Sequence, residues 1–347
     1  MPVPITIAKI AQAAGVSTAT VDRVLNNRSG VNADTIERVN AAARELGAAP
    51  PARGRPRTHS YRFAYVLPAT RLAFFDMVDR QIALGAGDFR HAHITELTHR
   101  LDASDASTFA AELSKLTDCD GIALLGPDVP AVKLAINDLV RAGVHVVTLF
   151  SDIAGAMRET FIGADNLAAG RVAGLLLGRS IGRVAAKNPA RVALLSPATR
   201  YAAEIDRRIG FAQVIEERFA NVEVLRVSDV PESEDAAHEY MRGWLASLDD
   251  RRRLAGIYNV GGGSYGVTRA LADAGLANPF FNVIAHDLSE VHRTLLVSGE
   301  LAYVLQQDIH YGVMNASRVL RALCEGVRGA LSVVQPKVEI LTAENLA

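Results

Sequence analysis

The sequence predicts a small all-α domain followed by a large α/β domain of two Rossmann-like lobes. Three observations lead there. Apolar residues recur at helical spacing through residues 1–47, a stretch rich in proline, glycine and arginine fills 48–61, and from 62 to 347 short apolar runs alternate with helix-compatible segments. With 347 residues and 49% apolar composition, the chain has material for one small core and two larger ones, which sets aside a disordered or fibrous reading.

Thr6 is suited to cap a first helix that turns Ile7, Ile10 and Ala11 to one face. Gly15 breaks that helix, and Ser17 is placed to cap a second one with Val21, Val24 and Leu25 inward. Two short helices therefore meet across a tight glycine turn. A third helix is expected after Asn32, running through Ile36, Val39 and Ala43 to Gly47, a residue suited to the left-handed position past a helix end. The next segment, GAAPPARGRPRTHS, has almost nothing to bury and reads as a basic linker.

Beyond the linker come FAYVLPA, DGIALLG, VHVVTLF, RVALLSP, LAGIYNV and FNVIAHD, each followed by ten or more residues compatible with a helix. That rhythm implies parallel sheets with covering helices. It includes too many strands for one open sheet, so two lobes are expected, with loops at the C-terminal strand ends facing each other across a ligand cleft.

The formal net charge of −1 conceals an asymmetry. Residues 1–60 carry 8 Lys/Arg against 4 Asp/Glu, and the rest of the chain carries the acidic excess. A small basic module beside a larger acidic one is the distribution expected when only the first faces phosphate. Cys119 and Cys324 are far apart, which suggests neither a disulfide framework nor a zinc site. His91 and His93 share one face of an expected strand but lack nearby carboxylate or thiolate ligands, so no metal is assigned, and nothing calls for a cofactor. The N-terminus lacks the pattern of a secretory signal and no run is long enough to span a membrane, so the expected location is the cytoplasm.

The segment ITIAKIAQAAGVSTATVDRVLNNRSGVNADTIERVNAAARELG, with its AGVS turn, TV-x-RVLN helix and T-x-x-RV third helix, resembles the helix-turn-helix head of the lac-repressor (LacI) family. The resemblance implies a DNA-binding transcription regulator, a repressor, whose second helix enters the major groove. Thr18 and Ala19 would meet base edges and Arg23 would address guanine, while Thr6, Ser17, Thr20 and Asn26 suit phosphate contacts. Asp22 stands where the family usually has serine, and it pairs with Arg23, stays exposed to solvent, or accepts from cytosine.

The linker departs from the family further. Members usually carry a short helix there whose leucine wedges into the minor groove, but Pro51, Gly54 and Pro56 oppose a helix. Arg53-Gly54-Arg55-Pro56-Arg57 is similar to an AT-hook core, an extended basic arm fitted to a narrow A·T minor groove. Either Arg53, Arg55 and Arg57 form such an arm, or the segment is a plain soluble linker.

From about residue 62, YRFAYVLPA at the start and VEILTAENL at the end resemble the ribose-binding-protein-like, periplasmic-binding-protein-like effector domain of the same family. The implied effector is a sugar, polyol or sugar phosphate. Such ligands need aromatic faces for stacking and carboxylates, amides or guanidinium groups for their hydroxyls. Phe74 and Phe75 follow the first strand, where related binders carry stacking aromatics. Ser151, Asp152, Asn259 and Asp287 follow later strands, Gln307 (or Gln306) matches an amide near the lobe crossover, and Asp206 and Arg207 fall where relatives place an arginine. The alternatives for these residues are core packing, helix caps or interlobe bonds. Asp165 and Asn166 read as a crossover cap.

An enzyme is the competing class. Gly262-Gly263-Ser264-Tyr265-Gly266 fits G-x-S-x-G, and Asp287 and His310 follow in hydrolase order, but the surrounding sequence resembles the sugar-binding fold, so no enzyme is expected. The Gly261–Gly263 amides could alternatively cradle a phosphate. Two heads about one DNA turn apart suit a homodimer on a pseudopalindromic operator.

Overall fold

Gly15 sets the course of the chain's beginning. Its φ of 63° ends α1 (Ile7–Ala14) in a left-handed turn, and its amide returns to the Ala11 carbonyl before α2 (Thr18–Leu25) begins. Ser17 caps α2, its Oγ accepting from the Thr20 amide at 3.1 Å, and Asn32 caps α3 (Ala33–Glu45) by accepting from the Thr35 amide at 2.8 Å. Ile10, Ala11, Ala14, Val21, Val39, Ala42 and Ala43 close a core among the three helices. Two expectations need correcting. Thr6 occupies the N-cap position in extended conformation, but its side chain caps nothing. Ile7 and Ile36 turn outward, at 44% and 39% exposure.

These features come from a computed structural model that describes residues 6–25, 31–46, 60–85, 93–181, 189–198, 201–277, 281–327 and 333–346. The chain divides into two units, Met1–Ser60 and Tyr61–Ala347.

In the second unit, β1 (Tyr61–Pro68), β2 (Ile94–Leu101), β3 (Gly121–Leu124), β4 (His145–Leu149) and β5 (Thr160–Ile162) form a parallel sheet in the order β2-β1-β3-β4-β5. Helices α4 (Ala73–Gly85), α5 (Ala106–Leu113) and α6 (Pro130–Arg141) follow its strands. The other lobe repeats the plan. Strands β6 (Ala190–Leu195), β7 (Val222–Val227), β8 (Leu254–Asn259), β9 (Asn282–His286) and β10 (Tyr303–Gln306) align in the order β7-β6-β8-β9-β10, and β11 (Glu339–Leu341) adds antiparallel to β10. Its helices are α7 (Asn166–Ile181), α8 (Ala202–Arg218), α9 (Glu234–Ser247), α10 (Ser264–Asp273) and α11 (Glu290–Val297). Helix α12 (Ile309–Cys324) returns to the first lobe and packs on β1, β3 and β4. The chain therefore crosses between lobes three times, after β5, after β10 and after α12.

The central strands are buried on both faces, as their continuous apolar sequence requires: Phe63 to Leu67, Ile122 to Leu124 and Ile257 to Tyr258 are sealed from solvent. Both lobes reverse strand order beside their first strand, so the C-terminal ends of their strands open toward one crevice. His93, expected within a strand, instead forms an exposed turn at φ 55° just before β2, while His91 lies outside the described residues.

Candidate functional site

The head presents one surface for contact. Ser17, Thr18, Ala19 and Arg23 are exposed at and along α2, and Thr20 is half-buried with its hydroxyl 2.9 Å from that of Ser17. The start of α2 thus offers small side chains and a helix N-terminus on the outside of the core that Val21 anchors. Thr6 is exposed before α1. Asn26, Arg53, Arg55 and Arg57 lie outside the described residues.

In the large unit a cavity of about 250 Å³ lies between the lobes, near the small end of the roughly 300–1,000 Å³ usual for ligand clefts. Phe74, Phe75, Ser151, Arg207, Asp287 and Gln307 all line it. The first lobe supplies an aromatic wall. Phe74 meets Phe150 edge-on at 5.5 Å between ring centres, and Phe75 lies 5.9 Å from Phe74 and 6.3 Å from Tyr201. Ser151 ties the walls together, its Oγ accepting from the Ala203 amide of the second lobe at 3.2 Å.

The polar wall belongs mainly to the second lobe. Arg207 is 7% exposed and donates from Nε to Asn166 Oδ1 at 2.8 Å, leaving its terminal nitrogens for other partners. Asn166 in turn donates to the Phe150 carbonyl, so the guanidinium is braced against the first interlobe crossing. This placement depends on close helix packing, because a Cβ at Gly170 would overlap the Arg207 carbonyl and one at Gly210 the Leu167 carbonyl.

Asp287 is also 7% exposed, and both its carboxylate oxygens accept from Gln307 Nε2, at 3.1 and 3.3 Å. Burial pushes its carboxyl above the usual range, against the opposing pull of Arg207 and the Gln307 bond. Burial, reinforced by Arg207, holds the neighbouring His286 imidazole well below its ordinary value, and its Nε2 pairs with the Tyr258 hydroxyl at 2.6 Å. His292 lies within reach of the Asp287 carbonyl at 2.7 Å and the Ser264 hydroxyl at 2.9 Å, which fixes the loop carrying Asp287. Gln307, 4% exposed, keeps its Oε1 without a partner. Phe150 and Asp287 both hold positive φ, 61° and 62°, a backbone state that costs a non-glycine residue about 1–3 kcal/mol and clusters at binding sites.

Three candidate residues are placed elsewhere. Asp152 is taken up by Arg158 at 2.6 and 2.7 Å and by Thr148 at 2.7 Å, so burial raises its carboxyl but these bonds outweigh it and the net shift is downward. It pins its own loop. Asp206 sits one helix position from Arg207 on another face, its carboxyl pushed up by burial and by Asp165 and Asp152. Asn259 is 1% exposed and donates to the Gly262 carbonyl and the Ser264 hydroxyl, so it shapes the glycine turn from beneath. Gln306, the alternative to Gln307, accepts from the Leu288 amide and borders a larger groove of about 940 Å³ where none of the other candidates except Gln307 lies.

Phe150, Tyr201, Glu232, His286 and His292 also line the cavity. Phe150 and Tyr201 follow strands and could have been found by the strand-end rule that selected Ser151, whereas Glu232 follows β7, an edge strand without a comparable apolar run. The hydrolase arrangement does not form: Ser264 is 1% exposed, and His310 lies away from it with Nδ1 2.9 Å from Gln81 Nε2. Among the described residues, no group of three metal-ligating side chains occurs and no helix is long and apolar enough to cross a membrane.

A three-helix head and a two-lobed, ligand-cleft domain in one chain define a class of proteins. Residues 63–326 match the periplasmic binding protein domain, and residues 6–50 match the bacterial regulatory proteins of the lacI family. Most of the chain therefore belongs to the periplasmic binding protein domain family, and a lacI-family helix-turn-helix head precedes that domain. It is similar to the HTH-type transcriptional regulator MalR of Streptococcus pneumoniae, 40% identical over 74 residues, which span 21% of this chain and 23% of that protein. Among solved structures, GanP, a glucose-galactose binding protein from Geobacillus stearothermophilus, superposes with a TM-score of 0.71 at 17% identity, covering 83% of this chain and 99% of GanP. A putative LacI transcriptional regulator from Bacteroides fragilis gives a TM-score of 0.68 at 19% identity, covering 82% and 98%. The Caulobacter myo-inositol binding protein gives 0.70 at 19% identity, covering 83% and 94%. At these identities the structural likeness establishes the fold.

Proposed function

We propose that this protein is a cytoplasmic, sequence-specific DNA-binding transcription regulator, a repressor, that acts as a homodimer and is controlled by a sugar-like effector bound between the lobes. The observation that carries the effector reading is the convergence of an aromatic wall around Phe74, Phe75 and Phe150 with a buried polar wall of Arg207, Asp287 and Gln307 on one small cavity. Aromatic faces pack on the C–H surfaces of sugars and polyols, and fixed polar groups exchange bonds with their hydroxyls.

The head reading rests on exposed Thr18, Ala19 and Arg23 along α2 and on the lacI-family match. Arg23 addresses guanine, Ser17, Thr20, Thr6 and Asn26 hold phosphates, and Arg53, Arg55 and Arg57 lie in the minor groove as an extended arm. Effector binding favours one closure of the lobes and thereby changes the spacing of the paired heads.

Fluorescence anisotropy of the full chain on its own upstream DNA, with and without sugars and polyols, tests the reading. The expected result is tight, salt-dependent binding that one compound changes. Replacing Arg53, Arg55 and Arg57 with alanine is expected to flatten the salt slope by about 2–3, near 0.9 per lost phosphate contact. No DNA binding at any salt concentration would defeat the proposal.

A further inference from the structure

The glycine motif resembling a nucleophile turn has a different use in this fold. Gly262, Gly263 and Gly266 line the seam where the segment before α9 lies against the start of α10. A Cβ at Gly266 would overlap the Glu234 carbonyl, and one at Gly262 would press on the Glu232 main chain and on Leu72 of the first lobe. Bare backbone there lets Glu232 and Glu234 lie against the start of the helix. Glu234 Oε2 accepts from the Gly266 amide at 2.9 Å, and Glu232 lies beside the Gly262 main chain. A helix N-terminus with open amides holds anions. Here the Glu234 carboxylate already occupies that place.

The same segment faces the cavity. Glu232 lines it, and burial pushes its carboxyl above the usual range. The charged lining is acidic in balance, with Arg71 and Arg207 against Glu204, Glu232, Glu234 and Asp287. Gln307 adds a buried acceptor, Oε1, that has no partner in the protein. The wall therefore holds a surplus of acceptors beside a single deeply buried cation.

We infer that Glu232 is a specificity residue of the cavity. By adding a second carboxylate beside the glycine turn, on the cavity side of α10, it excludes phosphorylated and carboxylated effectors, and it leaves the site to uncharged, hydroxyl-rich molecules that donate to Glu232 and Gln307. This inference rests on the reading of the cavity as the effector site.

Inorganic phosphate, titrated against the full-length protein at ionic strength held constant with sodium chloride, tests it. Melting temperature and calorimetry would be read for wild type, Glu232→Ser and Glu232→Gln, with circular dichroism to confirm folding. Serine removes both the charge and the bulk beside the glycine turn, whereas glutamine removes the charge but keeps a polar side chain of the same length. Wild type is expected to bind phosphate only weakly, Glu232→Ser at least about tenfold more tightly than wild type, and Glu232→Gln to fall between. If the serine variant does not fold, a gain by Glu232→Gln over wild type supports the inference and no gain overturns it. Wild type that binds phosphate as well as Glu232→Ser does, or a sugar 6-phosphate that stabilises wild type more than its parent sugar, also overturns it. Because no DNA enters these titrations, failure of the regulator reading appears separately, in the anisotropy experiment.

Discussion

The two lobes of the large unit share a strand order and differ in what they hold out to a ligand. The residue immediately after the fourth strand is Phe150 in the first lobe and Asp287 in the second, and both have the same left-handed backbone. In the first lobe this geometry aims a ring at Phe74, with Phe75 beside it. In the second it aims a carboxylate at Gln307, with the Arg207 charge nearby. The fold thus supplies matched positions, and the side chains divide the work, apolar faces on one side and directed hydrogen bonds on the other.

That division predicts unequal losses. Arg207→Ala is expected to have the largest effect, lowering effector affinity by about 100-fold, because a buried charged hydrogen bond to ligand is worth about 1.5–3 kcal/mol and Asn166 also loses its partner. Isothermal titration calorimetry with the identified effector measures this, and Arg207→Lys should recover little because an ammonium lacks the planar fork. Phe74→Ala comes next, at about tenfold, since it removes one face of an aromatic cluster and no directed bond. A loss for Phe74→Ala equal to that for Arg207→Ala would break the comparison.

Asp152→Asn should leave effector affinity unchanged and lower stability by about 2 kcal/mol at neutral pH, because its carboxylate is spent on Arg158 and Thr148. Its carboxyl titrates lower in the folded protein than in the unfolded chain. The stability it contributes is therefore present above the unfolded value near ~3.9 and is lost as pH falls through the folded value. Chemical denaturation of wild type and Asp152→Asn should converge in acid. A weakened effector affinity in Asp152→Asn would place this residue in the site after all.

Much of this layout was legible in the sequence, and the reasons are local. Continuous apolar runs marked the six buried central strands, while β7 and β10, with mixed burial, and β5, with three residues, carried no comparable run. The strand-end rule picked out Ser151 and Asp287, and the family resemblance Gln307, all of which line the cavity, but direction was beyond both. Asp152 is one residue past Ser151 and turns to Arg158, and Asp206 is one helical step from Arg207 and faces away from the cavity. Glu232 was hidden because it follows an edge strand, and the glycines that bring it into place read equally well as a nucleophile turn or a phosphate cradle until the packing of the 231–234 segment on α10 was known.

A linked titration decides whether the interlobe cavity and the DNA-binding head are coupled. Effector affinity would be measured for the full-length protein with and without operator DNA, and operator affinity with and without effector. Coupling through shared conformations predicts that each ligand changes the affinity of the other by the same factor, typically about 5–150-fold. An effector that binds the cavity tightly while operator affinity stays unchanged would contradict the account.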